Sequence, residues 1–176
     1  MPLYSFEGIS PTVHPAAFIA PTATLIGDVI VEEDASIWYG AVLRADYSAV
    51  IVRRGANVQD GSVLHGPPGL PTDVGPGATV AHLCVVHGAV LGEECLIANG
   101  TTVLDGAKVG SRTLVAAHSL VAAGAEIPDG VLAAGAPAVV KRALPGTAAE
   151  FWIKTNPAGY ADLARRHAAG IALVNP

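Results

Sequence analysis

The chain has 176 residues, with 51% apolar but only 5% aromatic side chains, a net charge of -5, 20 glycines and 13 prolines. That length suits one ordinary domain with a sizeable core, and such a core must be filled by Val, Ile, Leu and Ala in many similar layers. An acidic chain without a basic run excludes a nucleic-acid surface, and two cysteines do not make a disulfide framework.

At the start there is no charged segment leading into an apolar one, so no secretory signal is expected. No apolar run free of Gly, Pro and charge is long enough to cross a bilayer, so no membrane partner is expected and a cytoplasmic location is.

From Val13 onward the sequence repeats with a period of six. Val13, Ile19, Leu25, Val31, Ile37 and Leu43 are each six apart and aliphatic. Two residues before each stands Pro11, Ala17, Ala23, Val29, Ala35 or Ala41, a second and mostly small series. Each hexad therefore offers one large and one small inward side chain. The register jumps nine residues from Leu43 to Val52, with room for a short loop around Tyr47 and Ser48, and resumes at Val58 and Leu64. A Gly- and Pro-rich loop follows from Gly66 to Asp73. Val74, Val80 and Val86 restore the period. After a one-residue slip to Leu91 it runs through Ile97, Val103, Val109, Val115, Val121 and Ile127. The small partners there are Ala89, Cys95, Thr101, Ala107, Thr113, Ser119 and Ala125, so both cysteines are expected to fill inward positions.

A hexad is too short for an amphipathic helix and does not match a 3.6 period. It suits a short strand and a turn, which cannot bury its face alone, so successive coils must stack. The expected fold is all-β: a parallel β-helix shaped as a triangular prism. Three hexads make one coil, giving about six to seven coils over residues 11 to 138. The expected division is a β-helix domain over 1–138 and a linker with a helical segment over 139–176. In that segment Thr147-Ala148-Ala149-Glu150 reads as a capping box. Asn156-Pro157 reads as an N-cap followed by a first-turn proline. One or two helices are expected from about 147 to 170, with Tyr160, Leu163, Ala164 and Ala168 on one face packed along the prism.

Three of the six histidines, His65, His82 and His87, lie in the middle of the repeat. His65 and His87 directly follow the inward residues Leu64 and Val86, so they point outward. Their separation of 22 is one coil plus a short loop, which stacks them on one face. His82 stands two residues after Val80, near a corner, and belongs to another face. One chain need not gather all three; a threefold oligomer could present His82 from a neighbouring copy. His14, His118 and His167 have no ligand-like company. Ahead of His65 lies a polar cluster, Asn57, Gln59 and Asp60, and one coil earlier Arg44-Ala45-Asp46. An outward Arg with two carboxylates suggests a salt-bridge network, serving chain contacts, catalysis or both. Gln59 can orient a water or substrate.

The repeat, Arg44-Ala45-Asp46, Asn57-Val58-Gln59-Asp60-Gly61, Leu64-His65 and Ala81-His82-Leu83-Cys84-Val85-Val86-His87-Gly88 together resemble the γ-class carbonic anhydrases and their close relatives. The resemblance implies a left-handed β-helix, an exception to the usual crossover hand. It implies a homotrimer with zinc sites at the subunit interfaces (Fe²⁺ and Co²⁺ suit the same ligands), His65 and His87 coming from one chain and His82 from the next. It implies that Arg44 and Asp60 pair to assemble the trimer with Asp46 alongside, that Gln59 hydrogen-bonds the metal-bound hydroxide or bicarbonate with Asn57 supporting it, and that Tyr160 lies near the site. The implied reaction is the lyase-class reversible hydration of CO₂ to bicarbonate. Three neutral imidazoles leave such an ion an open position for water, whose pKa falls to about 7. Active members carry glutamates in a longer acidic loop; here the 66–73 loop is short and Asp73 is its only acid. Other chemistries fit the same architecture: metal-dependent hydrolysis of an acyl-CoA thioester, acyl transfer from CoA with a single histidine as base, or a trimeric scaffold without turnover.

Overall fold

The computed structural model describes residues 2–174. The chain winds into a left-handed parallel β-solenoid of about seven turns and ends in one helix. Its geometry follows from the two periodic series. Three columns of large aliphatic side chains run the length of the prism, one per face. The first is Leu25, Leu43, Leu64, Val86, Val103 and Val121, each the register partner of the next. The second runs from Ile19 through Ile37, Val58, Val80, Ile97 and Val115 to Ala133. The third runs from Val13 through Val31, Val52, Val74, Leu91 and Val109 to Ile127. Nearly all of these residues are buried, as are Ala23, Ala41, Ala89, Cys95 and Thr101 of the small series.

The strands are mostly two or three residues long, and the two longest are Thr24–Val31 and Val42–Val52. These two run side by side with a register shift between Gly27 and Val29, opposite the extra residues near Tyr47 and Ser48. The insertion is thus absorbed outside the prism while the columns continue. Corners are turned by residues with positive φ. At one corner Gly40, Gly61, Leu83, Gly100 and His118 occupy successive coils. Gly61 suits the turn without strain at φ +68°, and a Cβ there would displace the Leu83 side chain, whose Cδ2 would lie 2.8 Å away.

The end of the chain departs from expectation in three ways. Residues 138–143, set down as part of a domain boundary and linker, form the strand Ala138–Ala143, which turns back antiparallel on Val131–Gly135. A single continuous helix, α1 (Ala148–Gly170), follows, and Pro157 lies inside it rather than starting a second one. Thr147 is the N-cap residue, but its hydroxyl donates to Leu144 O, and Glu150 accepts from Gly146 N rather than closing a capping box. Helix α1 covers the face that carries Leu96, Leu114 and Leu132, with Ile153 and Leu144 buried between them. None of the described helices is long and apolar enough to cross a membrane.

Leu64 sits fully buried in the middle of its column. Leu64→Ala is expected to lower stability by about 2–5 kcal/mol, whereas Lys108→Ala, at an exposed surface pair, is expected to change it by less than about 0.5 kcal/mol. Urea unfolding followed by circular dichroism checks both; equal effects would mean that the column does not carry the fold.

Candidate metal site and the cleft beside it

The column register explains why two histidines meet. Arg44, His65 and His87 each follow a buried member of the first column, and they are register partners on successive coils. Their side chains must therefore stand outside the prism, one above another. The His65 and His87 rings lie with centroids 5.0 Å apart, and His65 Nδ1 is 2.9 Å from His87 Nε2. The opposite nitrogen of each ring is held by a carboxylate: His65 Nε2 is 2.8 Å from Asp46 Oδ1, and His87 Nδ1 contacts Asp105 Oδ1. Asp46 also accepts from Arg44. Burial pushes the Asp46 carboxyl up, but hydrogen bonds from His65, Arg44 and the backbone, with the Arg44 charge, outweigh it and hold its pKa below the usual carboxylate value. Tyr47 stands over the pair, its ring centroid 6.4 Å from that of His65.

The two facing nitrogens, 2.9 Å apart, sit at N–H···N hydrogen-bond distance, with donor and acceptor decided by the tautomer, so an ion held by both would have to take the place of that proton. Metal-binding histidines usually donate their other ring N–H to a carboxylate or carbonyl, which orients the ring and makes the donor nitrogen more basic. The donor set fits a divalent ion, but the chain supplies only two donors at this point. Among the described residues, no group of three or more His, Cys, Asp or Glu side chains is placed to hold an ion.

His82 stands apart, as its spacing implies. It occupies the corner where Asp60, His82 and Asn99 lie on successive coils just ahead of Gly61, Leu83 and Gly100. Its Nδ1 is 3.0 Å from Asp60 Oδ2, leaving Nε2 free, and the side chain is half-exposed. So each of the three histidines has one nitrogen against a carboxylate. The expected Arg44–Asp60 pair does not form within the chain: Arg44 goes to Asp46, and Asp60 to His82. Asp73, the one acid of the 66–73 loop, is bound at both oxygens by Arg53, at 3.0 and 2.7 Å.

Asn57 and Gln59 flank Val58 of the second column and point outward beneath helix α1. Both are buried. Asn57 Nδ2 donates to Thr79 Oγ1 at 2.9 Å, and Gln59 Nε2 donates to Asn57 Oδ1 at 3.0 Å, which fixes the orientation of the Gln59 amide. Gln59 lines a cleft of about 430 Å³ between the prism and helix α1, together with His82, Asn99, Leu96, Ala98 and Leu114 from the prism and Trp152, Asn156 and Tyr160 from the helix. Tyr160 packs edge-on against Trp38, and its hydroxyl pKa is raised by burial and by the Asp60 charge.

Asp105 escaped the sequence reading because it lies 18 residues beyond His87, so only the register of the next coil brings it near. His167, read as isolated, joins Phe18, Trp38 and Tyr39, with its Nδ1 2.9 Å from the Tyr39 hydroxyl. It docks the end of helix α1.

No family model matches the chain. Among curated proteins it is similar to the carnitine operon protein CaiE of Salmonella agona, 39% identical over 177 residues, covering 100% of this chain and 88% of that one. CaiE of Escherichia coli K12 is 40% identical over 166 residues, covering 94% and 84%. The chain belongs to the CaiE-like hexapeptide-repeat family. Solved structures agree in fold and sequence. A hexapeptide transferase family protein from Anaplasma phagocytophilum is 36% identical with a TM-score of 0.88, covering 93% of this chain and 96% of the other. A Bacillus cereus protein provisionally assigned as an acetyltransferase is 35% identical with a TM-score of 0.90, covering 94% and 95%. The two solved structures carry transferase and acetyltransferase names, and the membership that sequence identity establishes is in the CaiE-like family rather than specifically in the γ-class carbonic anhydrases.

Cys84 and Cys95 are both buried, and burial raises their thiol pKa values to about 11 and about 12. Thiolate is the reactive form, so iodoacetamide at pH 8 is expected to label neither cysteine in the folded protein and both in denaturant. Mass spectrometry reads the result; rapid labelling of Cys84 in the folded protein would contradict its burial beside the His82 turn.

Proposed function

We propose that this protein is a metal-dependent hydratase of the γ-carbonic anhydrase type, catalysing the reversible conversion of CO₂ and water to bicarbonate and a proton. In this reading it works as a homotrimer, in which His65 and His87 of one chain and His82 of a neighbouring copy hold the ion. The observation that carries the reading is the convergence of His65 Nδ1 and His87 Nε2 at 2.9 Å with their opposite nitrogens held by Asp46 and Asp105. Zinc suits three neutral imidazoles, and Fe²⁺ or Co²⁺ suits them as well. When bound, such an ion acts as a Lewis acid and lowers the pKa of water in its open position to about 7.

The chain's own residues do the rest. Asp46 and Asp105 fix the ring tautomers and strengthen the donor nitrogens, and Arg44 offsets the charge of Asp46. Asp60 does for His82 what those carboxylates do for the other pair. Asn57 holds Gln59 so that its remaining N–H and carbonyl oxygen are presented beside His82, where they orient the water or the bicarbonate oxygen. Tyr160 closes the site from helix α1. Proton release falls to the buffer.

A second reading, acyl-group chemistry on a CoA thioester by hydrolysis or transfer, is favoured by the transferase and acetyltransferase names of the relatives. The two are separated by elemental analysis, stopped-flow CO₂ hydration and thiol release from short acyl-CoA. About one ion per chain is expected, with CO₂ hydration that rises with imidazole buffer concentration. Metal-free protein that still consumes acyl-CoA would establish the second reading instead, and bound metal without any turnover would leave a scaffold.

Shared sites have their own test. His65→Ala and His82→Ala trimers each lose the ion. After subunit exchange, a mixed interface holding His82 of the first variant and His65 with His87 of the second is complete. Partial recovery of bound metal is expected, and none at any mixing ratio, with exchange demonstrated, would exclude sharing.

A further inference from the structure

We propose that Leu83 is the positioning residue for His82. Together with Val63 and Val85 it forms an apolar contact among copies of the chain around the axis of the trimer, and this contact, rather than the ion, seats the His82 corner on its neighbour. The proposal rests on the reading of His82 as a ligand lent to another copy.

Two observations single out Leu83. Its backbone φ is +58°, in the left-handed region where Cβ crowds the carbonyl and a bulky side chain is an outlier. Glycine serves at the same corner on the coils of Gly40, Gly61 and Gly100. A leucine there is held against its own preference and gains no burial in return: its side chain lies over Gly61 and the residue is 71% exposed. Among the described non-glycine residues with positive φ, it is the one apolar side chain. A conformational cost and an exposure cost thus fall together on the residue next to His82, and strain of this kind persists where a function uses it.

The surroundings indicate what covers it. Val63 and Val85 are ladder partners on successive coils, both exposed, and both lie between the corner and the row of Arg44, His65 and His87. Leu83, Val63 and Val85 therefore make an apolar strip between the two half-sites of one chain, with His82 on one side and His65 and His87 on the other. In a closed ring each chain lends His82 to one neighbour and receives it from the other. The short stretch of surface between those two contacts turns to the axis, where the strips of the copies meet. The flanks are charged in a complementary sense. Asp60 stands beside His82 and Arg44 beside His65, each with its side chain 43% exposed, so corner and row bring a carboxylate toward a guanidinium.

The test uses the full-length protein as purified and after chelation. Sedimentation velocity over a dilution series reads assembly, circular dichroism reads folding, and elemental analysis reads metal. The wild-type chain is expected to stay trimeric without metal. Leu83→Gly suits φ +58° better than leucine does and is expected to keep the fold. It is expected to weaken assembly by at least about ten-fold per chain, the lower end for burial of a leucine side chain, and to lose metal at dilutions where the wild type keeps it. Leu83→Asn, polar and tolerant of the same φ, is expected to behave likewise, and Leu83→Met to assemble as the wild type does. A side chain that served only the fold would give the opposite sign, because removing it relieves strain. Unchanged assembly and metal retention in Leu83→Gly, or a wild-type trimer that falls apart when metal is removed, would overturn the proposal. Trimers that never take up an ion but still dissociate in Leu83→Gly would leave the contact standing and remove the hydratase reading. CO₂ hydration by metal-loaded protein whose assembly ignores Leu83→Gly would do the reverse.

Discussion

The position of every side chain at this site is set by the lateral register of the stacked coils. A parallel solenoid has no freedom to shift one coil relative to the next, because each aliphatic residue must land on the column below. That is why Arg44, His65 and His87, each one residue past a buried column member, form a vertical row outside the prism. It is also why the spacings of 21 and 22 residues along this row change nothing. The extra residues near Tyr47 and in the 66–73 loop are extruded at the surface, and the backbone ladder closes beneath them.

The same rule makes the metal reading a statement about two chains. Residues on one face stack; residues on different faces diverge. His82 turns at a corner and joins Asp60 and Asn99, not His65 and His87. Two imidazoles with facing nitrogens, and a third with a free nitrogen on another face, satisfy one ion only if copies of the chain meet face to corner. The carboxylates behind the rings favour that outcome electrostatically, since Asp46, Asp60 and Asp105 add negative charge around a site whose donors are neutral.

Most of the fold was legible in the sequence because burial in a solenoid is read directly from period six. The large series predicted the columns, and the small series predicted the second set of inward side chains. The outward orientation of His65 and His87 and the separate face of His82 followed from the same counting. Counting could not reach Asp105 or the Asp60–His82 contact, because outward side chains are not constrained by the period, and their partners depend on which coil lies above. Nor could it reach the end of the chain. Pro157 looked like a helix start because proline lacks an N–H, but the helix runs through it, held against the prism by Ile153 and Ala164 and by the seating of His167 on Trp38 and Tyr39. Tertiary packing there overrides the local signal.

Helix α1 then decides what the site can accept. Without it, the row Ser36, Asn57, Thr79, Leu96, Leu114 would be an ordinary solvent face, and burying its polar members would serve no purpose. With it, those polar groups must be paired, and they pair among themselves: Trp38 to Ser36, Asn57 to Thr79, Gln59 to Asn57. The donations run from Gln59 to Asn57 and from Asn57 to Thr79, and among the described residues the Gln59 oxygen accepts no hydrogen bond. An amide that is buried, immobilised by its neighbours and still half-unpaired is costly for stability alone, and its orientation is what a ligand would exploit. The prism places the histidines through its register, and the helix, by covering a polar row on its surface, makes the members of that row pair with one another.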